Sequence, residues 1–222
     1  MRLLFMIDGS SIDPIGSTVR VVIEGLPGAG KTELAKQLAA SLKLPLIPEF
    51  VVFEGDLWKQ FELKKPFYRA NDELKESVAS YLEEPLVIFD RHYPGTLAFA
   101  HALDATPGIE PPDAENYESE LQWYRQCLRD HRLSTPDCVL ILDIDPLTSL
   151  RRQPRAKAFD PAFGNVEFLN ALRTYYRSFY ATIESNVQMH WIDASDATSS
   201  IYMRARDIIG AAAGKKSNVS ES

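Results

Sequence analysis

The octapeptide Gly25-Leu26-Pro27-Gly28-Ala29-Gly30-Lys31-Thr32 directly follows the apolar run TVRVVIE and opens a segment with helical spacing. No other feature of the chain restricts its fold as strongly. A GxxxxGK[ST] motif between a strand and a helix is a phosphate-binding loop. Its glycines let the backbone wrap so that successive N–H groups point at the β- and γ-phosphates, and the helix N-terminus adds a favourable dipole. Lys31 brings a point charge, and Thr32 brings a hydroxyl suited to Mg²⁺. Gly25, Pro27, Gly28, Ala29, Gly30, Lys31 and Thr32 are therefore the expected nucleotide cradle. The plain alternative is a glycine-rich turn that binds nothing.

Apolar runs of strand length recur at 19–24, 45–48, 86–90, 138–143 and 188–192, with helix-like segments between them. This alternation predicts an α/β fold with a doubly wound, mostly parallel five-stranded sheet covered on both faces. Residues 32–42 place Lys36 and Gln37 outward, while Phe168, Leu172, Tyr175, Phe179 and Ile183 mark one face of a long helix. Those aromatics read as core rather than as a base-stacking platform. Residues 105–116, with Pro107, Pro111 and Pro112, read as a loop ahead of a helix over 118–130. One domain is expected over 18–213, after an extension of no clear role at 1–17. The polar tail at 214–222 lacks apolar anchors and reads as disordered.

A net charge of −7 argues against a general nucleic-acid or anionic-membrane binder, so any phosphate site must be local. The two cysteines, Cys127 and Cys138, form no CxxC or metal-binding spacing, which fits a reducing compartment. The apolar run at 3–7 is shorter than a signal-peptide core, and no stretch approaches a membrane span. A cytoplasmic protein with no membrane partner is the expectation.

Five patches occur in order: IEGLPGAGKTELAKQLA, VIFDRHYPGTLAFAHAL, PDCVLILDIDPLTSLRR, FLNALRTYYRSFY and WIDASDATSSIYMRARDII. Together they resemble the thymidylate kinase and deoxynucleoside kinase branch of the P-loop kinases along most of the chain. Only the first patch is specific by itself. The resemblance implies a single-domain P-loop NTPase fold with an Arg-containing lid, and ATP and Mg²⁺ as cofactors. It implies that Asp90, with Thr32, holds hydrated Mg²⁺, that Arg91 reaches the acceptor or the transferring phosphate, and that Lys31 is catalytic. Ala194 and Ser195 would lie in the turn that borders the adenine. In the basic segment Arg151, Arg152, Arg155 and Lys157, the resemblance makes Arg152 and Arg155 close over the triphosphate and puts the lid's final acid at Asp160; the bland reading is a solvated basic turn. His92 takes the family's Tyr/His position, and His101 is structural or exposed. Family members are often homodimers through helices flanking the third strand, which would put Thr96 and Phe99 on such a face.

The acceptor side departs from the thymidylate kinase pattern. Pro27 replaces an acid, Phe50 stands beside Glu49 where monophosphate kinases tend to place an Arg, and Asp72 stands near a phosphate-binding Arg position, with Arg69 one turn earlier. These changes lean toward a neutral acceptor. PEFVVFEGDLW also resembles the Glu-Pro-Val…Trp stretch of deoxynucleoside kinases, although Pro48 precedes Glu49 here and Trp58 lies farther along. That resemblance makes Glu49 the general base for a 5′-hydroxyl and Trp58 part of a base pocket, with Phe67, Arg69 and Arg91 as further acceptor contacts. Against it stand a helix-start acid at Glu49 and ordinary packing for Trp58, Phe61, Phe67 and Tyr68. The expected activity is an ATP- and Mg²⁺-dependent phosphotransfer to a nucleoside or nucleoside monophosphate. The alternatives are a kinase for a non-nucleoside small molecule and an NTP-hydrolysing switch, for which no Asn-Lys-x-Asp or sensor-Arg constellation is found.

Overall fold

A computed structural model of the chain describes residues 18–51, 65–109, 117–153, 161–180 and 187–219. Its five strands are β1 (Val19–Gly25), β2 (Leu46–Ile47), β3 (Leu86–Asp90), β4 (Cys138–Asp143) and β5 (Gln188–Asp193). They form one parallel sheet in the order β2-β3-β1-β4-β5. β1, β3 and β4 are buried almost throughout, which requires cover on both faces and explains why they are rich in Val, Ile and Leu. Arg20 interrupts β1 without facing solvent, because its guanidinium pairs with Glu76 at 2.6 Å.

The helices are α1 (Lys31–Leu42), α2 (Lys65–Leu82), α3 (Tyr93–Ala105), α4 (Tyr117–Arg129), α5 (Pro146–Arg152), α6 (Val166–Tyr175) and α7 (Thr198–Val219). α1 buries Leu34, Ala35 and Leu38 and turns Lys36 and Gln37 outward, as its spacing predicts. α5 begins where the Asp145 carboxylate accepts the Thr148 N–H at 2.9 Å with Pro146 in the first turn, and α6 is capped likewise by Asn165. No described helix is long and apolar enough to cross a membrane.

Three expectations change in detail. β2 is only two residues long: the Pro45 carbonyl accepts the Ile88 N–H at 3.0 Å, but neither flanking proline has an N–H to donate to the ladder. The helix from Val166 is not uniform: after Tyr175 it widens into a π-helical turn over Tyr176–Tyr180. That shift lets Tyr175, Tyr176 and Tyr180 all point inward, and the Tyr176 hydroxyl reaches the Glu24 carboxylate at 3.0 Å. α7 runs on to Val219, past the Gly214 boundary expected for a disordered tail. Ala211 to Ala213 propagate the helix, and no proline follows to stop it. The extension at 1–17 lies outside the described residues.

Strand register sets the site. Ile23 pairs with Asp90, and Gly25 pairs with Leu142, so β3 ends two residues short of β1 and β4 runs one residue beyond it. β1 has β3 on one side and β4 on the other, which makes its end the topological switch point where open α/β sheets hold ligands.

Candidate functional site

The phosphate loop leaves β1 at Gly25, whose φ of +140° and missing Cβ are both required: a Cβ there would stand 2.4 Å from the Leu142 carbonyl oxygen. α5 braces the loop from outside. Ser149 Oγ donates to the Pro27 carbonyl at 2.6 Å, and the Arg152 Cβ lies 3.0 Å from where a Cβ on Gly28 would be. The Arg152 guanidinium then donates to the Ala194 carbonyl at 2.9 Å. In that turn the Asp193 carboxylate accepts the Ser195 N–H at 2.9 Å, and the Ala194 N–H bonds Asp143 O at 2.9 Å. The cradle, Arg152 and the Ala194–Ser195 turn are thus one connected surface. Ala29 is buried beneath it. Arg155, Lys157, Asp160 and Trp58 lie outside the described residues.

Lys31 is buried, and its ammonium donates to the Leu26 carbonyl at 2.8 Å. Burial, reinforced by the nearby Arg91 charge, pushes the basicity of Lys31 well below that of an ordinary lysine. An anion at the loop would oppose both effects by favouring the charged ammonium.

A cavity of about 560 Å³ opens from Gly28, Gly30, Lys31 and Thr32 toward Glu49, Phe50, Tyr68 and Asp72. Its floor is Arg91, His92 and Gly95. Glu49 and Arg91 meet there, with Arg91 Nε 3.0 Å from Glu49 Oε1. Asp90 is 3% exposed, and its Oδ1 has no hydrogen-bond partner among the described residues. An orphaned carboxylate oxygen beside a phosphate loop suits a hydrated cation.

Other expected contacts move away from the cavity. Arg69 is turned to α4, where Glu120 accepts from its Nε at 2.9 Å and its guanidinium lies 5.1 Å from the Trp123 ring centre. The buried carboxylate of Glu120 draws it there. Phe67 packs against Phe50 and Tyr68 at 5.8 and 5.4 Å instead of lining the wall. Thr96 donates to Asp72 at 3.0 Å, and Phe99 packs on Phe163 at 5.6 Å, and both line this cavity.

Sequence reasoning missed a buried ionic layer beneath the floor. Glu24 is fully buried, accepting the His92 N–H and the Tyr176 hydroxyl at 3.0 Å each. Burial raises its pKa, against the pull of Arg91 and the His92 N–H. The His92 ring stacks on Phe89 and stands 3.3 Å from Asp72 and 3.4 Å from Glu76. Burial disfavours its charge, but those two carboxylates prevail and raise its pKa. Burial also works against the Glu76 anion, yet His92 and Arg20 hold it down to about 2. Asp72 Oδ2 accepts from both Thr96 and the Tyr124 hydroxyl, which holds on the wall a carboxylate that would repel an acceptor's phosphate. The available signal was Asp72, Lys75 and Glu76 at one-turn spacing on α2, a pattern that also fits a solvated face.

Gly95 belongs to this layer because a Cβ would lie 2.7 Å from both Glu24 oxygens. Gly95→Ala is expected to cost about 1–3 kcal/mol by overpacking, read as a lower urea midpoint with unchanged slope. An unchanged midpoint would show that Glu24 is free to shift.

The described geometry can be set beside known proteins. No curated protein sequence matches the chain. Among solved structures, deoxyadenosine kinase from M. mycoides with bound dATP aligns with a TM-score of 0.64 at 18% identity, over 86% of this chain and 100% of that one. The same enzyme with dCMP as product and a flexible dCDP gives 0.63 at 16% identity, over 87% and 100%. With bound dCTP it gives 0.60 at 17% identity, over 87% and 100%. At such identities the likeness is one of fold. A family model described as AAA domain matches residues 20–166, from within β1 through the phosphate loop to the first residue of α6. With that match spanning more than half of the chain and opening on the cradle just described, this protein belongs to the AAA domain family of P-loop proteins.

Proposed function

We propose that the chain is an ATP- and Mg²⁺-dependent kinase that phosphorylates the hydroxyl of a nucleoside. The observation that carries this reading is the placement of the Glu49–Arg91 pair across one cavity from Lys31 and the phosphate loop. Phosphoryl transfer needs positioning and cationic donors more than covalent chemistry. The loop N–H groups and Lys31 hold the β- and γ-phosphates, Glu49 accepts the proton of the attacking hydroxyl, and Arg91 stabilises charge on the equatorial oxygens. Thr32 and Asp90 hold Mg²⁺, which neutralises charge on the phosphate oxygens when bound. Arg152, fixed between the loop and the Ala194 turn, closes the nucleotide side.

A neutral acceptor fits better than a monophosphate. Arg69, the cation nearest the expected phosphate clamp, is committed to Glu120, while Asp72 places a carboxylate on the wall. The fold shared with enzymes solved as deoxyadenosine kinases agrees with a nucleoside. A coupled ADP-release assay with Mg-ATP and either nucleosides or their 5′-monophosphates tests this. Turnover with nucleosides alone is expected. Turnover only with monophosphates would mean that Arg91 suffices as a clamp, and silence in both sets would point to a non-nucleoside acceptor. ATP turnover stimulated by a macromolecule alone would favour a switch.

A further inference from the structure

Lys75, on α2, is 1% exposed. Its ammonium donates to three backbone carbonyls, those of Glu49 at 3.2 Å, Asp90 at 3.1 Å and Arg91 at 2.5 Å. A lysine ammonium has three donors, so this arrangement uses them all. A buried cation often does no more than satisfy loose carbonyls. Here the three acceptors belong to the proposed base, the carboxylate facing the metal position and the guanidinium that pairs with the base. They come from two segments that nothing in the sequence ties together, the connection after β2 and the end of β3.

The second segment needs holding. Arg91 has a φ of +61°, the left-handed region that disfavours a residue with a Cβ. From one side its N–H bonds Ile23 O at 3.1 Å, and the next N–H, of His92, bonds Glu24 at 3.0 Å. From the other side Lys75 takes the carbonyls of Asp90 and Arg91. Glu49 has a further anchor, because Asn71 Nδ2 donates to the same carbonyl at 3.0 Å. α2 therefore carries Asn71, which holds the Glu49 segment by its carbonyl and by the Val51 N–H at 3.1 Å, and Lys75, which fixes the spacing of Glu49 to Asp90 and Arg91.

We infer that Lys75 is a positioning residue for phosphoryl transfer: by gathering the carbonyls of Glu49, Asp90 and Arg91 on one ammonium, it sets the separation of their side chains at the reacting centre. The inference rests on the kinase reading above, and it assigns Lys75 no contact with substrate. Lys75→Met keeps the length of the side chain and removes the donors, whereas Lys75→Arg keeps the charge but offers a planar fork in place of a compact ammonium.

The test uses the full chain, with hydrogen–deuterium exchange beside steady-state kinetics on the acceptor found in the ADP-release assay. In Lys75→Met, exchange should rise about tenfold at residues 48–51 and 88–93 while β4 keeps its wild-type rates. Turnover should fall about 100-fold, with the acceptor KM and the nucleotide Kd each within about threefold of wild type. Lys75→Arg should fold and recover about tenfold of the lost turnover, a graded response expected of geometry. If Lys75→Met does not fold, a wild-type kcat in Lys75→Arg overturns the inference. Unchanged exchange at 88–93, faster exchange throughout, or local loosening with unchanged kcat also overturns it in an active enzyme. A wild-type chain that transfers phosphate to no acceptor instead overturns the kinase reading, and the role of Lys75 in transfer falls with it.

Discussion

Lys31→Met is expected to lower turnover about 10²–10³-fold, the cost of deleting one preorganised donor to developing charge. The side chain is 6% exposed and lies where the loop enters α1. Burial and Arg91 both work against its charge, whereas Glu49, Glu24 and Asp90 favour it. A cation held in such a place gains most from the charge that accumulates during transfer, because low local polarity strengthens the attraction. Methionine matches the volume of the stem and cannot donate to Leu26 O, so some loosening of the loop is included in the expected loss. Equilibrium binding separates the effects. A nucleotide Kd that rises by about tenfold or less, with the larger loss in kcat, identifies a transition-state contact. Equal losses in binding and turnover would identify uniform phosphate binding, and a kcat within about threefold of wild type would reduce Lys31 to a strut for the Leu26 carbonyl.

The part of this arrangement that could be read from sequence is the part governed by local rules. Residues 25–32 announce the turn, the helix start and the phosphate chemistry together, since each depends on neighbours in the chain. β3 and β4 were legible because buried parallel strands are continuously apolar. Glu24 was not, although it sits one residue before the loop. Its meaning depends on His92 and Tyr176, which the sheet order and the π-helical turn bring to it. Arg69 shows the converse. Its position one turn before Asp72 suggested a phosphate contact, but the buried carboxylate of Glu120 on α4 competes for it and holds it. Lys75 reads in sequence as a polar helix residue, and only the convergence of β2 and β3 gives it three carbonyls to bind. Long-range partners of buried charges are set by topology, so spacing along one helix could not reveal them.

Glu49→Gln carries the other large effect, a loss in kcat of about 10²–10³-fold with a hydroxyl acceptor, within the range for removing a general base. The substitution is nearly isosteric and leaves the backbone anchors of Glu49 to Asn71 and Lys75 untouched. It removes the negative charge facing Arg91 Nε at 3.0 Å and the ability to take a proton. Both consequences point the same way for transfer, but they differ for binding. The glutamine still offers a carbonyl oxygen to Arg91, and the 40% exposure of the Glu49 side chain limits what the lost ion pair can cost the fold. Nucleotide Kd and acceptor KM should therefore stay within about threefold of wild type while kcat falls. Glu49→Asp tests reach: a carboxylate one methylene shorter keeps the base but withdraws it from the hydroxyl, so its turnover should lie between wild type and Glu49→Gln. Unchanged turnover in Glu49→Gln would remove the base role and leave Glu49 as the partner that orients Arg91. If Glu49→Asp proves as inactive as Glu49→Gln, position rather than proton affinity governs the step.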